Sequence, residues 1–418
     1  MIRVDSVDLE PLEEGDALLL PKPEEDAKIK TDSKIEDHYY ILEELGKGKF
    51  GVVKKCQDKE TGATYAAKYV KKTKQSKIDV TQEIMMMGKL HHKGLVRLIN
   101  SFETPQFMLL VMELITGGEL FEKVVEEDNL TERQVVRYLR QILYAVQHMH
   151  RYNMVHLDLK PENILCVGGD PPGYEKLKLI DFGMARILEK GKKEIAACGT
   201  AEFVAPEVLR LDPVTLAVDM WSLGSITYVL LSGLSPFLGD SDSETLMNVS
   251  NGEYDFDDGE GIFDQISDGA KQFIEQLLVM DVEKRNTVDD CLEHEWCKRA
   301  QEKKLKTDKL KKFIARRRWQ RTTTALKAVQ RLAHLNLHNS SSGKSNGLLS
   351  QLANARKNGS ASSEESDDAN AKSDKDINGN GASSGEEAPN SKTSNGSQDI
   401  EPKEKTSVKI SINGSVKI

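Results

Sequence analysis

Residues 46–70 read GKGKFGVVKKCQDKETGATYAAKYV. The spacing Gly46-x-Gly48-x-x-Gly51-x-Val53 removes side chains where backbone amides would have to approach a phosphate. Taken alone that pattern is shared with dinucleotide-binding folds, so the residues after it decide. They read as a hairpin around Thr61–Gly62, with no helix following the glycines. A βαβ nucleotide fold is thereby set aside, and a sheet-rich lobe ending in Ala66-Ala67-Lys68 is expected.

Working outward, apolar periodicity is continuous from Tyr39 to about Trp296. Period-2 stretches such as Tyr65–Val70 and Phe107–Glu113 give way to helical spacing such as Glu132–His150. Strands first and helices later predict an α+β chain with two unlike lobes, which 418 residues are enough to supply. Residues up to about Glu36 are acidic and aperiodic, with neither the cationic start nor the apolar core of a signal peptide. The best apolar run, Ile226–Leu231, is far short of the roughly 18–20 residues that cross a bilayer. Five scattered cysteines form no CxxC pair, so neither a zinc knuckle nor a disulfide framework is expected.

The chain carries a formal net charge of -9, yet 12 basic residues face one acidic residue across Lys303–His334. From about Asn339 onward Ser, Asn, Gly, Glu and Asp dominate, a composition that buries too little surface to order itself. The last residues, SVKISINGSVKI, alternate around Asn413–Gly414, but an isolated hairpin is marginal in water and this end too is expected to be disordered.

Further short patterns occur in one order. Glu83 lies in the helix-like DVTQEIMMMGKL, where the only other carboxylate is Asp79. Then come His156-Leu157-Asp158-Leu159-Lys160-Pro161-Glu162-Asn163, Asp181-Phe182-Gly183, Ala205-Pro206-Glu207 and Arg285. In this order and at these intervals they resemble the eukaryotic protein kinase family over about Tyr39–Cys297, and Asp158-Leu-Lys160 its serine/threonine branch. The resemblance implies a two-lobed fold, with a small lobe over 39–115 and a large lobe over 116–297. ATP would sit against Leu45, Gly46, Lys47, Gly48, Lys49, Phe50, Gly51, Val52, Val53 and Ala66. Met112 is the expected gatekeeper, Glu113 and Ile115 the adenine contacts, and Glu119 a further residue of the cleft. Lys68, paired with Glu83, would hold the α- and β-phosphates. Asp158 would receive the substrate hydroxyl proton, Lys160 would steady the moving phosphoryl group, and Asn163 and Asp181 would ligate Mg2+. A catalytically dead scaffold would normally have lost Lys68, Asp158 or Asp181, and all three are present.

One position departs from the family pattern. Leu157 replaces the arginine that would clamp a phosphate on the activation loop, and residues 184–199 contain no Ser, Thr or Tyr. Thr200 resembles the threonine that contacts the catalytic loop. Control by activation-loop phosphorylation is therefore not expected.

A basic amphipathic helix has three readings: calmodulin target, membrane-surface helix or nucleic-acid arm. Trp319 and Leu326 share a face while Leu332 lies about 140° around the helix. Anchors on both sides suit a clamp that wraps the helix better than a flat membrane, which favours calmodulin. The flanking bases are Arg316, Arg317, Arg318, Arg321, Lys327 and Arg331. The segment ARRRWQRTTTALKAVQRL, together with VHLDLKPENILC and GTAEFVAPEV, resembles the myosin light chain kinases over roughly residues 37–334. That resemblance implies an autoinhibitory and calmodulin-binding segment at 298–338, between the kinase domain at 39–297 and disordered ends at 1–38 and 339–418. It implies Ca2+ control through calmodulin and a serine of myosin regulatory light chain as acceptor, with Met184 favouring serine over threonine. It also implies a basic tail lying over groove carboxylates such as Glu119 and Glu162. A monomer is expected, cytoplasmic beside actomyosin, with no nucleic acid or membrane partner. Death-associated and general calmodulin-dependent kinases are the alternative within the class.

Overall fold

The computed structural model describes residues 28–47, 51–126, 130–169, 173–257 and 259–321. Gly48, Lys49, Phe50, Leu326, Lys327, Arg331, Leu332, residues 1–27 of the acidic end and the whole polar end 339–418 lie outside the described residues.

The small lobe is a six-stranded sheet in the order β1-β5-β6-β4-β3-β2. Its strands are β1 (Ile29–Lys30), β2 (Tyr39–Lys47), β3 (Gly51–Asp58), β4 (Thr64–Lys71), β5 (Leu98–Glu103) and β6 (Phe107–Glu113), with the single turn α1 (Ile35–His38) before β2. The β3–β4 hairpin forms where the sequence expects it. Asp58 accepts hydrogen bonds from the Thr61 and Glu60 amides at 2.8 and 3.0 Å, and Gly62 takes φ 73°, a left-handed conformation that glycine adopts without strain.

Ordered structure begins before the boundary expected at residue 38. β1 runs parallel to β5, Ile35 is buried, and Ile29 packs on the main core. Acidic composition misplaced this edge, because two well-spaced isoleucines are enough to anchor it. Helix α2 (Lys74–Lys89) starts at Thr73, whose hydroxyl accepts the Ser76 amide, and it turns Glu83 inward among Val80, Ile84, Met86 and Met87.

The large lobe is helical: α3 (Leu120–Glu126), α4 (Glu132–Arg151), α5 (Pro206–Leu209), α6 (Ala217–Ser232), α7 (Asp242–Asn251), α8 (Asp268–Glu275), α9 (Val288–Glu293) and α10 (Glu295–Arg299). Two short ribbons carry the loops of the site, β7 (Met154–Val155) with β10 (Arg186–Ile187) and β8 (Ile164–Cys166) with β9 (Leu177–Leu179). Helix α6 is buried from Val218 to Ser232, so it is the hydrophobic axis about which the lobe packs. It ends at Gly233, φ 73°, whose amide bonds back to the Val229 carbonyl. A final helix, α11, covers residues 308–321.

Candidate active site

Strand β4 aims Lys68 between the lobes. Its ammonium lies 2.7 Å from the Glu83 carboxylate and 3.8 Å from that of Asp181. The rival Asp79 is exposed and accepts from the Gln75 carboxamide instead. Burial would lower the Lys68 pKa, but Glu83 and Asp181 outweigh it and hold it above the usual lysine value. Burial would raise the Asp181 pKa, and Lys68, Lys160 and His156 hold it below the usual carboxylate value. Both groups are thus charged at neutral pH.

Beside them opens a cleft of about 460 Å³ including its open mouth. Ala66, Met112, Ile115, Leu165 and Ile180 give it apolar walls, and Lys68, Glu113 and Asp181 its polar edges. That division suits a flat heteroaromatic ring bearing phosphates. Leu45, Gly46, Lys47, Val52 and Val53 lie on the paired β2–β3 strands and outside this lining. Gly51 has a packing reason of its own: a Cβ there would sit 1.8 Å from the Tyr69 carbonyl oxygen. Asp181 carries an ionised carboxylate, and the backbone joins it to the buried Asn163, whose carbonyl accepts the Ile180 amide at 3.0 Å; a carboxylate and a carboxamide oxygen are donors that fit a hard divalent cation such as Mg2+.

The catalytic loop hangs from α6. Asp219, fully buried, accepts from the backbone amides of His156 and Leu157 at 2.9 and 3.1 Å, and His150 Nε2 lies 3.0 Å away. This carboxylate was missed in the sequence, although a lone acid in so apolar a helix is itself a signal. With the loop fixed, Asp158 Oδ2 lies 2.5 Å from the Lys160 ammonium, and Oδ1 accepts from the Thr200 hydroxyl at 2.8 Å. The Asn163 carboxamide donates to the Asp158 carbonyl at 2.9 Å. Phe182 is buried against the His156 ring.

Leu157 takes φ 66°, rare for a branched residue, with its side chain in the core. The activation segment around it is held by backbone contacts, beside its own ion pairs of Arg186 with Glu194 and Lys192 with Glu189. Leu188 donates to the Asn153 carbonyl at 2.7 Å, Val214 to that of Glu194 at 2.9 Å, and Ile195 bridges Pro213. Met184 is half-buried against the core. The pair expected at the end of the segment is present, with Arg285 giving two bonds to Glu207, at 2.7 and 3.1 Å.

The basic tail lies on the large lobe. Residues 303–305 meet the start of α4, where Glu132 donates to the Lys303 carbonyl and Leu305 to that of Leu130. Leu310, Phe313 and Ile314 of α11 are buried, with Phe313 against Phe121, and side chains of this size contribute about 1.5–3 kcal/mol each when fully buried. Four arginines follow. Arg317 bridges Glu162 at 2.6 Å and Glu202 at 2.8 Å, and its guanidinium lies over Phe203 and Phe313. Arg316 pairs with Glu202, Arg318 with Glu122, and Arg321 with Glu119. Glu119, expected also on the nucleotide side, is here an arginine acceptor outside the cleft lining. Glu202, Glu122 and Glu260, which pairs with Lys309, were not singled out in the sequence. Trp319 stands 69% exposed.

The model of the family described as "Protein kinase domain" matches residues 39–297. Smooth muscle myosin light chain kinase of Gallus gallus is 45% identical over 322 residues, which is 76% of this chain and 17% of that protein. Myosin light chain kinase 2 of Homo sapiens, skeletal/cardiac muscle, is 45% identical over 298 residues, covering 69% of this chain and 49% of its own. The chain thus spans less than two thirds of either relative. Among solved structures, a twitchin kinase fragment of C. elegans, described as an autoregulated protein kinase with immunoglobulin domains, aligns with a TM-score of 0.66 at 40% identity. That alignment covers 72% of this chain and 67% of the other.

Proposed function

Because this chain belongs to the protein kinase family and is a serine/threonine kinase, we propose that it is silenced by its own basic tail and released by calcium-loaded calmodulin. Once released it phosphorylates a serine of myosin regulatory light chain. Ala66, Met112 and Ile115 would hold adenine, and Lys68 with Glu83 the α- and β-phosphates. Asn163 and Asp181 would hold Mg2+, which when bound neutralises phosphate charge. Asp158 takes up the serine hydroxyl proton, and Lys160 offsets charge beside it. The supply of orienting groups is complete without any activation-loop phosphate.

The observation that carries the regulatory reading is Arg317 between Glu162 and Glu202. A groove carboxylate pair that holds a buried guanidinium cannot at the same time receive the basic stretch before a light-chain serine. Exposed Trp319, beside these arginines, offers calmodulin a first apolar hold. To move a silent population from 1:99 to 99:1, calmodulin must favour the released form by about 5.5 kcal/mol. The muscle relatives support a place beside actomyosin in the cytoplasm, and among the described residues no helix is long and apolar enough to cross a membrane.

The test is γ-phosphate transfer from ATP to purified myosin regulatory light chain, with calcium–calmodulin and with a chelator. Strong transfer confined to the calcium arm is expected. Equal transfer in both arms would sink autoinhibition, and transfer to generic basic peptides but not to light chain would sink the substrate.

A further inference from the structure

Glu113 ends β6 and lines the nucleotide cleft, but it also lines a second cavity whose walls include Arg97, Ile99 and Lys178. Among the described residues it alone belongs to both. The catalytic reading uses neither Arg97 nor Lys178, yet both hold Glu113, and they hold it from different lobes.

On the small-lobe side, the Glu113 amide donates to the Arg97 carbonyl at 2.9 Å, and the Arg97 amide reaches the Glu113 carboxylate at 3.4 Å. From β9 of the large lobe, the Lys178 ammonium lies 2.8 Å from the same carboxylate and donates to the Leu95 carbonyl at 3.2 Å. The backbone beside Lys178 is tied to that segment as well. Leu179 donates to the Gly94 carbonyl at 2.8 Å, and Val96 donates to the Leu179 carbonyl at 3.0 Å. The base of the lysine is thereby fixed, and its reach to Glu113 with it. The Lys178 side chain is 12% exposed and that of Glu113 32%, so water and salt screen this pair less than one at the open surface.

We propose that Lys178 is a positioning residue for nucleotide binding, which pins the Glu113 carboxylate outside the cleft and so presets Glu113 against the adenine ring. This rests on reading the cleft as an ATP site in which Glu113 meets adenine. Lys178 is outside the cleft lining and acts through Glu113. With the pin in place, Glu113 is ordered before the nucleotide arrives. Without it, each binding event must bear the cost of ordering that side chain and its stretch of backbone. Lys178 also lies three residues before Asp181, so the test has to separate the adenine end of the cleft from the phosphate end.

Adenosine makes that separation, because it carries the ring and no phosphate. Steady-state transfer to a basic serine peptide is measured on the full chain, with calcium–calmodulin in every arm and adenosine as a competitor of ATP. Lys178→Met should raise both the KM for ATP and the inhibition constant of adenosine by about 3- to 5-fold, the upper end for an ion pair partly open to water. Its kcat should stay within about twofold of the native value, as expected when binding is lost equally from ground and transition states. Lys178→Arg keeps the charge and should restore both constants. Glu113→Gln should match Lys178→Met, and the two together should be no worse than either alone, which loss of folding would not produce. This second variant carries the same test should the first not fold. A fall in kcat with adenosine unaffected would mean that Lys178 acts through Asp181, and the pin would be wrong. Unchanged constants in both single variants would also overturn it while leaving the ATP site standing. If adenosine fails to compete with ATP in the native chain, the adenine reading of the cleft falls first and the pin with it.

Discussion

Two segments border Asp158 and its groove, and they are held by different forces. The activation segment is fixed by neutral backbone bonds, a buried Leu157 and the Thr200 hydroxyl on Asp158. The tail helix is fixed by three buried apolar side chains and by arginines on carboxylates. The first set contains no phosphate to add or remove, and its ion pairs, Arg186 with Glu194 and Lys192 with Glu189, lie within the segment. The second can be competed away by any partner that offers acids and apolar pockets together. On the proposed reading the switch lies in the tail, and the activation segment is part of the frame.

The largest effect separates frame from cover. Asp158→Asn should lower phosphoryl transfer by about 10²–10⁴-fold, both in the full chain and in one ending after residue 299. Retained activity in the shortened chain would break the assignment of Asp158. Next comes Arg317→Ala, which leaves Glu162 and Glu202 buried without their shared cation. Removing one partner from such a site costs about 3–5 kcal/mol. Transfer in chelator should rise by about 100-fold or more, and an unchanged rate would mean that the tail is held elsewhere.

Gly233→Ala sharpens the comparison at a single carbon. The residue sits at φ 73°, and a Cβ there would lie 2.2 Å from the Leu310 amide nitrogen. The left-handed strain, about 1–2 kcal/mol, affects docked and released forms alike. The clash exists only when the tail is docked. A lower Tm is expected in both the full and the shortened chain, with about a tenfold rise in chelator activity in the full chain only. Arg318→Ala should change chelator activity by less than about threefold, because its partner Glu122 holds it at the surface, where such pairs contribute about 0–1 kcal/mol. Smallest of all, phosphatase treatment should leave the calmodulin-stimulated rate unaltered, and a clear loss would return the switch to the activation segment.

What the sequence made legible was local. The β3–β4 hairpin, α4, the Lys68–Glu83 pair and the catalytic loop all rest on spacing within one element or on short motifs in a fixed order. Glu83 prevailed over Asp79 because helix periodicity turns one inward and leaves the other in water. Glu202, Glu122 and Glu260 were hidden for the opposite reason. In sequence they are ordinary surface glutamates, and only the course of the tail over the large lobe gathers them into one surface. Asp219 lies between these cases: its neighbours in α6 mark it as odd, but not as the post from which the catalytic loop hangs. Gly51 was read for phosphate approach, whereas the Tyr69 carbonyl alone requires a residue without a side chain. The N-terminal edge was misplaced because charge density was weighed above two isolated isoleucines.

The chain's three tryptophans are unequally placed. Trp221 stacks on Phe237 inside the large lobe, Trp296 is buried with its indole N–H on Glu132, and Trp319 stands in solvent. A collisional quencher such as iodide reaches only the last of these. The protein thus carries its own optical reporter, in which quenching by iodide reads the tail alone. Loss of that quenching, with a shift of emission to shorter wavelength, would mark the moment when another molecule closes over it.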